Sequence, residues 1–187
     1  MRIVGGEFRN RKIATCEGPG YRPTTHKVRE AVFSMVQARG LAWDGLRVLD
    51  MFAGSGSLGL ECLSRGASEA WFVEKSGKAA SLIQRNLKEL GVGKDRAKVL
   101  RKDLFSVLSG RPDQPFGLFL VDPPYGRDLL LPALEKALEN GWLAPGGFVL
   151  AELESSASVP GKGTALESLE CVTDREYGQT RIVIWRN

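Results

Sequence analysis

The chain has 187 residues, 43% hydrophobic and 26% charged, a length and composition suited to one globular domain with a sizeable core. Its net charge of +4 is uneven: residues 1–40 hold eight Lys or Arg against three Glu, leaving +5 there and −1 over residues 41–187, which fits a polyanion contact or a solvated charged face. No apolar run approaches the ~20 residues of a membrane span and the start lacks a signal-like apolar stretch; three scattered cysteines (Cys16, Cys62, Cys171) and one histidine (His26) predict free thiols in a reducing cytoplasm and no metal.

Residues 1–40 read as a basic extension: a small hairpin over 2–14, a linker through Gly18-Pro19-Gly20, and a helix from Thr24 to Ala38. From there the pattern changes. LRVLDMF (46–52), AWFVE (70–74), AKVLR (97–101), FGLFLVD (116–122) and GFVLAEL (147–153) predict strands, several apolar throughout as strands covered on both faces are. Between them Ser57–Arg65, Lys78–Leu90 and Leu129–Asn140 carry apolar residues at helical spacing, with Gly66 and Gly91 placed as C-terminal caps. Strand-helix alternation predicts a doubly wound, mostly parallel sheet over residues 41–187. Ala165–Thr173 and Thr180–Trp185 read as two last strands with no helix between them, hence an antiparallel hairpin turning at Tyr177-Gly178.

In VLDMFAGSGSLGLE (48–61) a strand ends, a glycine loop follows and a helix begins, placing a nucleotide-sized ligand at the strand's C-terminal end. Gly54, Gly56 and Gly59 also satisfy G-x-G-x-x-G, with Glu74 twenty residues after Gly54, so a nicotinamide oxidoreductase is a rival. Asp50 weighs against it, because a carboxylate there would repel a pyrophosphate but can pair with the ammonium of S-adenosylmethionine. Glu74 and Lys75 follow the second strand, with Glu74 placed to accept both ribose hydroxyls. Asp103 follows the third strand and either accepts an adenine amine, with Leu104 packed on the ring, or caps a helix.

VDPPYG (121–126) ends the fourth strand. Two prolines cannot donate to a central ladder, so the backbone leaves the sheet at the edge that carries the glycine loop. An exocyclic base amine is a weak nucleophile because its lone pair is shared with the ring. Asp122 and the Pro123 carbonyl can accept its hydrogens and aim it, Pro124 stiffens the turn, and Tyr125 can stack on a base drawn out of its helix or loop. The bland alternative is a turn opening the next helix.

These motifs, together with MRIVGGEFRNRKI (1–13), RPTTHKVREAVFS (22–34), LDMFAGSGSLGLECLSRGA (49–67), VEKS (73–76) and YGQTRI (177–182), resemble the RsmD family of 16S ribosomal RNA guanine-N2 methyltransferases (the guanine-966 type) over nearly the whole chain. The resemblance implies a Rossmann-like class I methyltransferase fold with a seven-stranded sheet, S-adenosylmethionine as donor, and ribosomal RNA as substrate, free or in an assembling small subunit, met by a monomer. It places Asp50, Phe52, Ala53, Gly54, Ser55, Gly56, Glu74, Lys75, Asp103 and Leu104 at the donor, Asp122, Pro123, Pro124 and Tyr125 at the base, and Arg22, Thr24, Lys27 and Arg29 at RNA phosphates. For Arg29 an interdomain salt bridge is an alternative. His26-Lys27 departs from the family's Asp-Arg, and lysine lacks the planar reach of arginine. A DNA or other RNA base amino-methyltransferase is the nearest rival; it usually carries a target-recognition insert for which only residues 1–40 leave room. A silent RNA-binding module fits poorly with intact donor and base motifs.

Overall fold

The computed structural model describes residues 1–15, 26–124, 126–159 and 163–187, with the side chains of His26 and Lys27 outside that set. Strands β1 (Arg47–Asp50), β2 (Glu69–Val73), β3 (Ala97–Leu100), β4 (Phe116–Val121), β5 (Leu143–Glu154), β6 (Glu170–Tyr177) and β7 (Thr180–Arg186) form one sheet in the order β3-β2-β1-β4-β5-β7-β6. The first five are parallel; β7 runs antiparallel between β5 and β6. The order reverses at β1, where β2 lies on one side and β4 on the other. That switch opens a crevice at the carboxyl ends of β1 and β4.

Helices α1 (His26–Ala38), α2 (Ser57–Ser64), α3 (Gly77–Leu90), α4 (Leu104–Leu108) and α5 (Leu130–Glu139) cover the two faces. Val48, Leu118, Leu120, Phe148 and Leu150 meet Phe33, Leu60 and Ile83 on one face. Leu49, Phe119, Val121 and Val149 meet Leu104, Leu108, Ala133 and Leu134 on the other. Burial on both sides explains why these strands read as unbroken apolar runs. Helix α3 starts where Ser76 Oγ accepts the Ala79 amide at 3.4 Å and stops at left-handed Gly91 (φ 76°).

Three expectations need correction. The stretch 2–14 folds back as a loop with a single bridge, Arg2 to Lys12, and not as a two-stranded ladder. The amides of Glu7 and Phe8 point instead at α2, donating to the Ser64 carbonyl at 2.7 Å and its Oγ at 2.8 Å. Ala165–Ser168 is a 3₁₀ turn capped by Thr164, and the strand begins only at Glu170. Helix α4 leaves no trace in the sequence pattern, being too short at five residues for periodicity to show.

Residues 1–15 do not stand apart. Ile3, Phe8 and Ile13 join Val32, Phe33 and Val36 of α1 in the core cluster that holds Val48 and Leu60. Buried Glu61 of α2 accepts the amides of Val4 and Gly5, both at 2.8 Å, and the Arg65 guanidinium at 3.0 Å. Gly6 (φ 76°) admits no side chain, because a Cβ would lie 1.7 Å from the Ser64 carbonyl oxygen.

Candidate active site

The glycine loop turns through two left-handed residues, Gly54 (φ 53°) and Gly56 (φ 76°). Its start is fixed by the Ala53 amide on the Val73 carbonyl at 3.1 Å, which ties the loop to the end of β2. Glu74, just after β2, then accepts the Gly54 amide at 2.9 Å with one oxygen and the Ser76 amide at 2.7 Å with the other. Each carboxylate oxygen has a second lone pair, so a ribose-binding role for Glu74 is compatible with these bonds.

Beneath the loop Asp50 is 2% exposed, and its Oδ2 accepts the Gly59 amide in the first turn of α2 at 3.1 Å. Burial, reinforced by the charge of Glu74, pushes its carboxyl group up to about 7 against the pull of that amide. Gly59 has a packing reason: a Cβ there would fall 2.4 Å from Phe72 and 3.1 Å from Asp50 Oδ2. The third glycine of the dinucleotide-like pattern thus serves the close approach of α2 to the sheet.

Across the crevice Asp122 follows β4. The last registered pair of β4 and β5 is Val121 with Ala151, so Asp122 and Glu152 come next, on the face to which Leu120 and Leu150 contribute. Burial, then the charges of Glu152 and Asp50, hold the Asp122 carboxyl well above the usual carboxylate range. Three acids, Asp50, Asp122 and Glu152, therefore meet at the carboxyl ends of three adjacent strands. Pro123 is buried and Pro124 exposed, while Tyr125 lies outside the described residues.

Among the remaining donor candidates, Phe52, Ser55 and Gly54 are half-buried around the loop, Ala53 and Gly56 are buried, and Lys75 is exposed. Asp103 is exposed and caps α4, its Oδ1 accepting the Ser106 amide at 3.2 Å, with Leu104 buried behind it. An exposed cap keeps one oxygen for a ligand, so the two readings of Asp103 coexist.

Arg29 is a correction. The family resemblance places it at RNA phosphates, yet it is 2% exposed and donates to Met1 Sδ at 2.6 Å and the Arg2 carbonyl at 3.0 Å. Burial lowers its affinity for the proton, opposed by Glu61 and Glu152. Its neighbours explain the placement: Arg29, Val32, Phe33 and Val36 share one helical face, and that face is the buried one. Arg22, Thr24 and the Lys27 side chain lie outside the described residues. Arg2, Arg9, Arg11 and Lys12 are exposed basic residues. Two further residues carry weight that the motifs do not announce. Glu152 is hidden inside an apolar strand, where a lone carboxylate is the signal. Asn86 of α3 is hidden by its ordinary place in a helix: it is fully buried and bonds Ala14 and Ser55.

The donor set suits S-adenosylmethionine: a glycine loop for close backbone approach, a buried carboxylate beneath it for an ammonium, and a loop-bound carboxylate after β2 for a ribose. With the sheet order above, fold and site define a Rossmann-like, S-adenosylmethionine-dependent methyltransferase. The model of the family described as Conserved hypothetical protein 95 matches residues 1–186, and the chain belongs to this family, the RsmD family. Ribosomal RNA small subunit methyltransferase D of Escherichia coli is 37% identical over 160 residues, 86% of this chain and 78% of that protein. Among solved structures, yhhF from Escherichia coli superimposes with a TM-score of 0.86 at 32% identity, covering 100% of this chain and 97% of the other. SMU.776, complexed with SAH, shares the fold at a TM-score of 0.68 and 12% identity, covering 96% of this chain and 52% of that one. Among the described residues no helix is long and apolar enough to cross a membrane.

Proposed function

We propose that this protein transfers a methyl group from S-adenosylmethionine to the exocyclic N2 of a guanine in small-subunit ribosomal RNA. The observation that carries the reading is the placement of Asp122, a desolvated carboxyl group beside Asp50 and at the mouth shared with the glycine loop. The RNA substrate and the guanine rest on the family likeness and on the name of the Escherichia coli relative.

When bound, S-adenosylmethionine supplies a methyl on a positively charged sulfur that departs with the electron pair of the broken bond. The protein's part is to hold and orient. Asp50, with Glu74 and the Gly54–Gly56 backbone, holds the donor. Asp122 and the Pro123 carbonyl accept the two hydrogens of the target amine and turn its lone pair toward the methyl; such orientation removes a large part of the barrier. As the new N–C bond forms, the amine becomes acidic and one proton passes to the Asp122 carboxylate. A carboxyl whose proton affinity is raised by burial accepts it more readily than an exposed aspartate. Tyr125 supplies the stacking face for the extruded base, and the exposed Arg9 and Lys12 meet phosphates.

The test is mass mapping of methylated nucleotides in small-subunit rRNA from cells with and without the gene. Loss of one N2-methylguanine supports the assignment; an unchanged map with a working donor site would point to another amine-bearing nucleic acid.

A further inference from the structure

Guanine differs from the other amine-bearing bases beside its amine. The ring nitrogen next to the adenine or cytosine amine is a bare acceptor, whereas guanine N1 carries a hydrogen and is followed by the O6 acceptor. An edge that reads donor, donor, acceptor needs acceptor, acceptor, donor from the protein.

The crevice offers that order. Asp122 and Glu152 occupy neighbouring positions on β4 and β5, immediately beyond the pair Val121–Ala151. Glu152, Arg29, Val32, Leu58, Leu150 and Ile182 line one cleft of about 250 Å³ counted to its open mouth. Arg29 Nε belongs to a side chain 2% exposed and is the one deeply buried side-chain nitrogen or oxygen without a hydrogen-bond partner among the described residues. An orphaned buried donor beside a carboxylate is costly unless an acceptor fills the place during function.

Resting on the guanine reading above, we infer that Glu152 is a specificity-determining residue that accepts guanine N1–H while Asp122 accepts N2–H, with Arg29 Nε serving O6 in contact or through one water. The alternative bases then fail for a defined reason: adenine N1 or cytosine N3 would set a lone pair against the Glu152 carboxylate. Asp122 selects for an amine; Glu152 selects which amine.

The test uses an rRNA fragment carrying either guanine or 2-aminopurine at the target position. 2-Aminopurine keeps the C2 amine and replaces N1–H with a bare acceptor. Wild-type protein should favour guanine in kcat/KM by roughly 5- to 150-fold, the range for one good base contact. Glu152→Gln presents an amide that can donate to N1, so it should lose rate on guanine, gain relative rate on 2-aminopurine, and shrink the ratio by about fivefold or more. Glu152→Ala should lose rate on guanine without that gain. Donor affinity by calorimetry, unchanged in both variants, shows that they are folded. An unchanged ratio in Glu152→Gln overturns the pairing with N1. So does loss of rate on both bases to the same degree with donor binding intact. If wild-type protein methylates no guanine at N2, the proposed function fails first, and the ratio is never reached.

Discussion

The carboxylate of Asp50 accepts the backbone amide of Gly59 at 3.1 Å, across the glycine loop and at the first turn of α2. One side chain thus closes the bottom of the loop and presents a charge to whatever lies above it. Burial and Glu74 together raise its carboxyl group to about 7, so its charge depends on pH in the physiological range. A bound ammonium favours the charged form. Donor binding should release a proton, and affinity should rise up to about tenfold per pH unit as pH rises toward 7, then level off. Asp50→Asn should flatten that dependence, and Asp50→Ala should weaken binding by about 1.5–3 kcal/mol. Calorimetry between about pH 5.5 and pH 8.5 reads both. NAD binding in preference to S-adenosylmethionine would overturn the donor assignment.

The same raised proton affinity acts on stability in the opposite sense. In the unfolded chain Asp50 returns to the ordinary aspartate value, so the folded state binds more protons in the interval between that value and about 7. Its stabilising contribution is full below the unfolded value and lost as pH rises through the folded one. Without donor, the difference in melting temperature between wild type and Asp50→Asn should shift in favour of Asn as pH rises from about 5 to about 7.5. A constant difference across that window would contradict the buried, protonatable Asp50.

Asp122 should separate chemistry from donor binding. Asp122→Ala ought to keep S-adenosylmethionine affinity and lose about 10²- to 10⁴-fold in turnover, since it removes the amine's orienting group and proton acceptor. Because its carboxyl group lies well above the usual range, turnover should fall on the acid side at a pH higher than an exposed aspartate would give. Single-turnover rates against pH measure the limb. Normal turnover in Asp122→Ala would remove Asp122 from the methyl-transfer step.

Attachment of residues 1–15 to α2 should be a large element of stability. Glu61→Ala leaves the buried amides of Val4 and Gly5 without an acceptor and Arg65 without its ion pair. The expected cost is roughly 3–5 kcal/mol, and about 2–4 °C in Tm for each kcal/mol. Calorimetric melting of Glu61→Ala beside Glu89→Ala, whose Arg85 pair is exposed, gives the comparison. Equal melting of the two variants would show that the segment is only loosely held.

Arg29 and the exposed basic residues should part company in RNA binding. Arg9→Ala with Lys12→Ala should flatten the dependence of RNA affinity on salt, by about 0.7 in the log–log slope for each lost single-strand contact. Arg29→Ala should leave the slope unchanged and lower thermal stability, because its guanidinium is spent on Met1 and Arg2. RNA titrations at several salt concentrations distinguish them. A salt slope moved by Arg29→Ala and not by the double variant would reverse the assignment.

The parallel core of this fold is readable from residue order because β1 and β4 are covered on both faces and carry no polar interruption. Their prolines and glycines mark the edge where they stop. What the sequence hides are cases in which one residue type serves two environments. Arg29 is chemically fit for a phosphate, and only its helical register with Val32, Phe33 and Val36 shows that it faces the core. Glu152 sits in a run long enough to read as strand whatever its partners, so its nearness to Asp122 emerges only from the β4–β5 register. Helix α4 escapes because five residues span little more than one turn, and Asp103 is as well explained by capping as by binding.

Asn86 joins two parts of the molecule that lie far apart in the chain. Its Oδ1 accepts the Ala14 amide at 2.9 Å, while its Nδ2 donates to the Ala14 carbonyl at 2.9 Å and the Ser55 carbonyl at 3.2 Å. Peeling the first fifteen residues from α3 strands this amide in the core with only Ser55 to hold. The loop beneath the donor then loses the support that fixes its peptide planes. Fraying of the amino-terminal segment and loosening of residues 54–56 should be one cooperative opening, visible as matched hydrogen-exchange rates on both sides of Asn86.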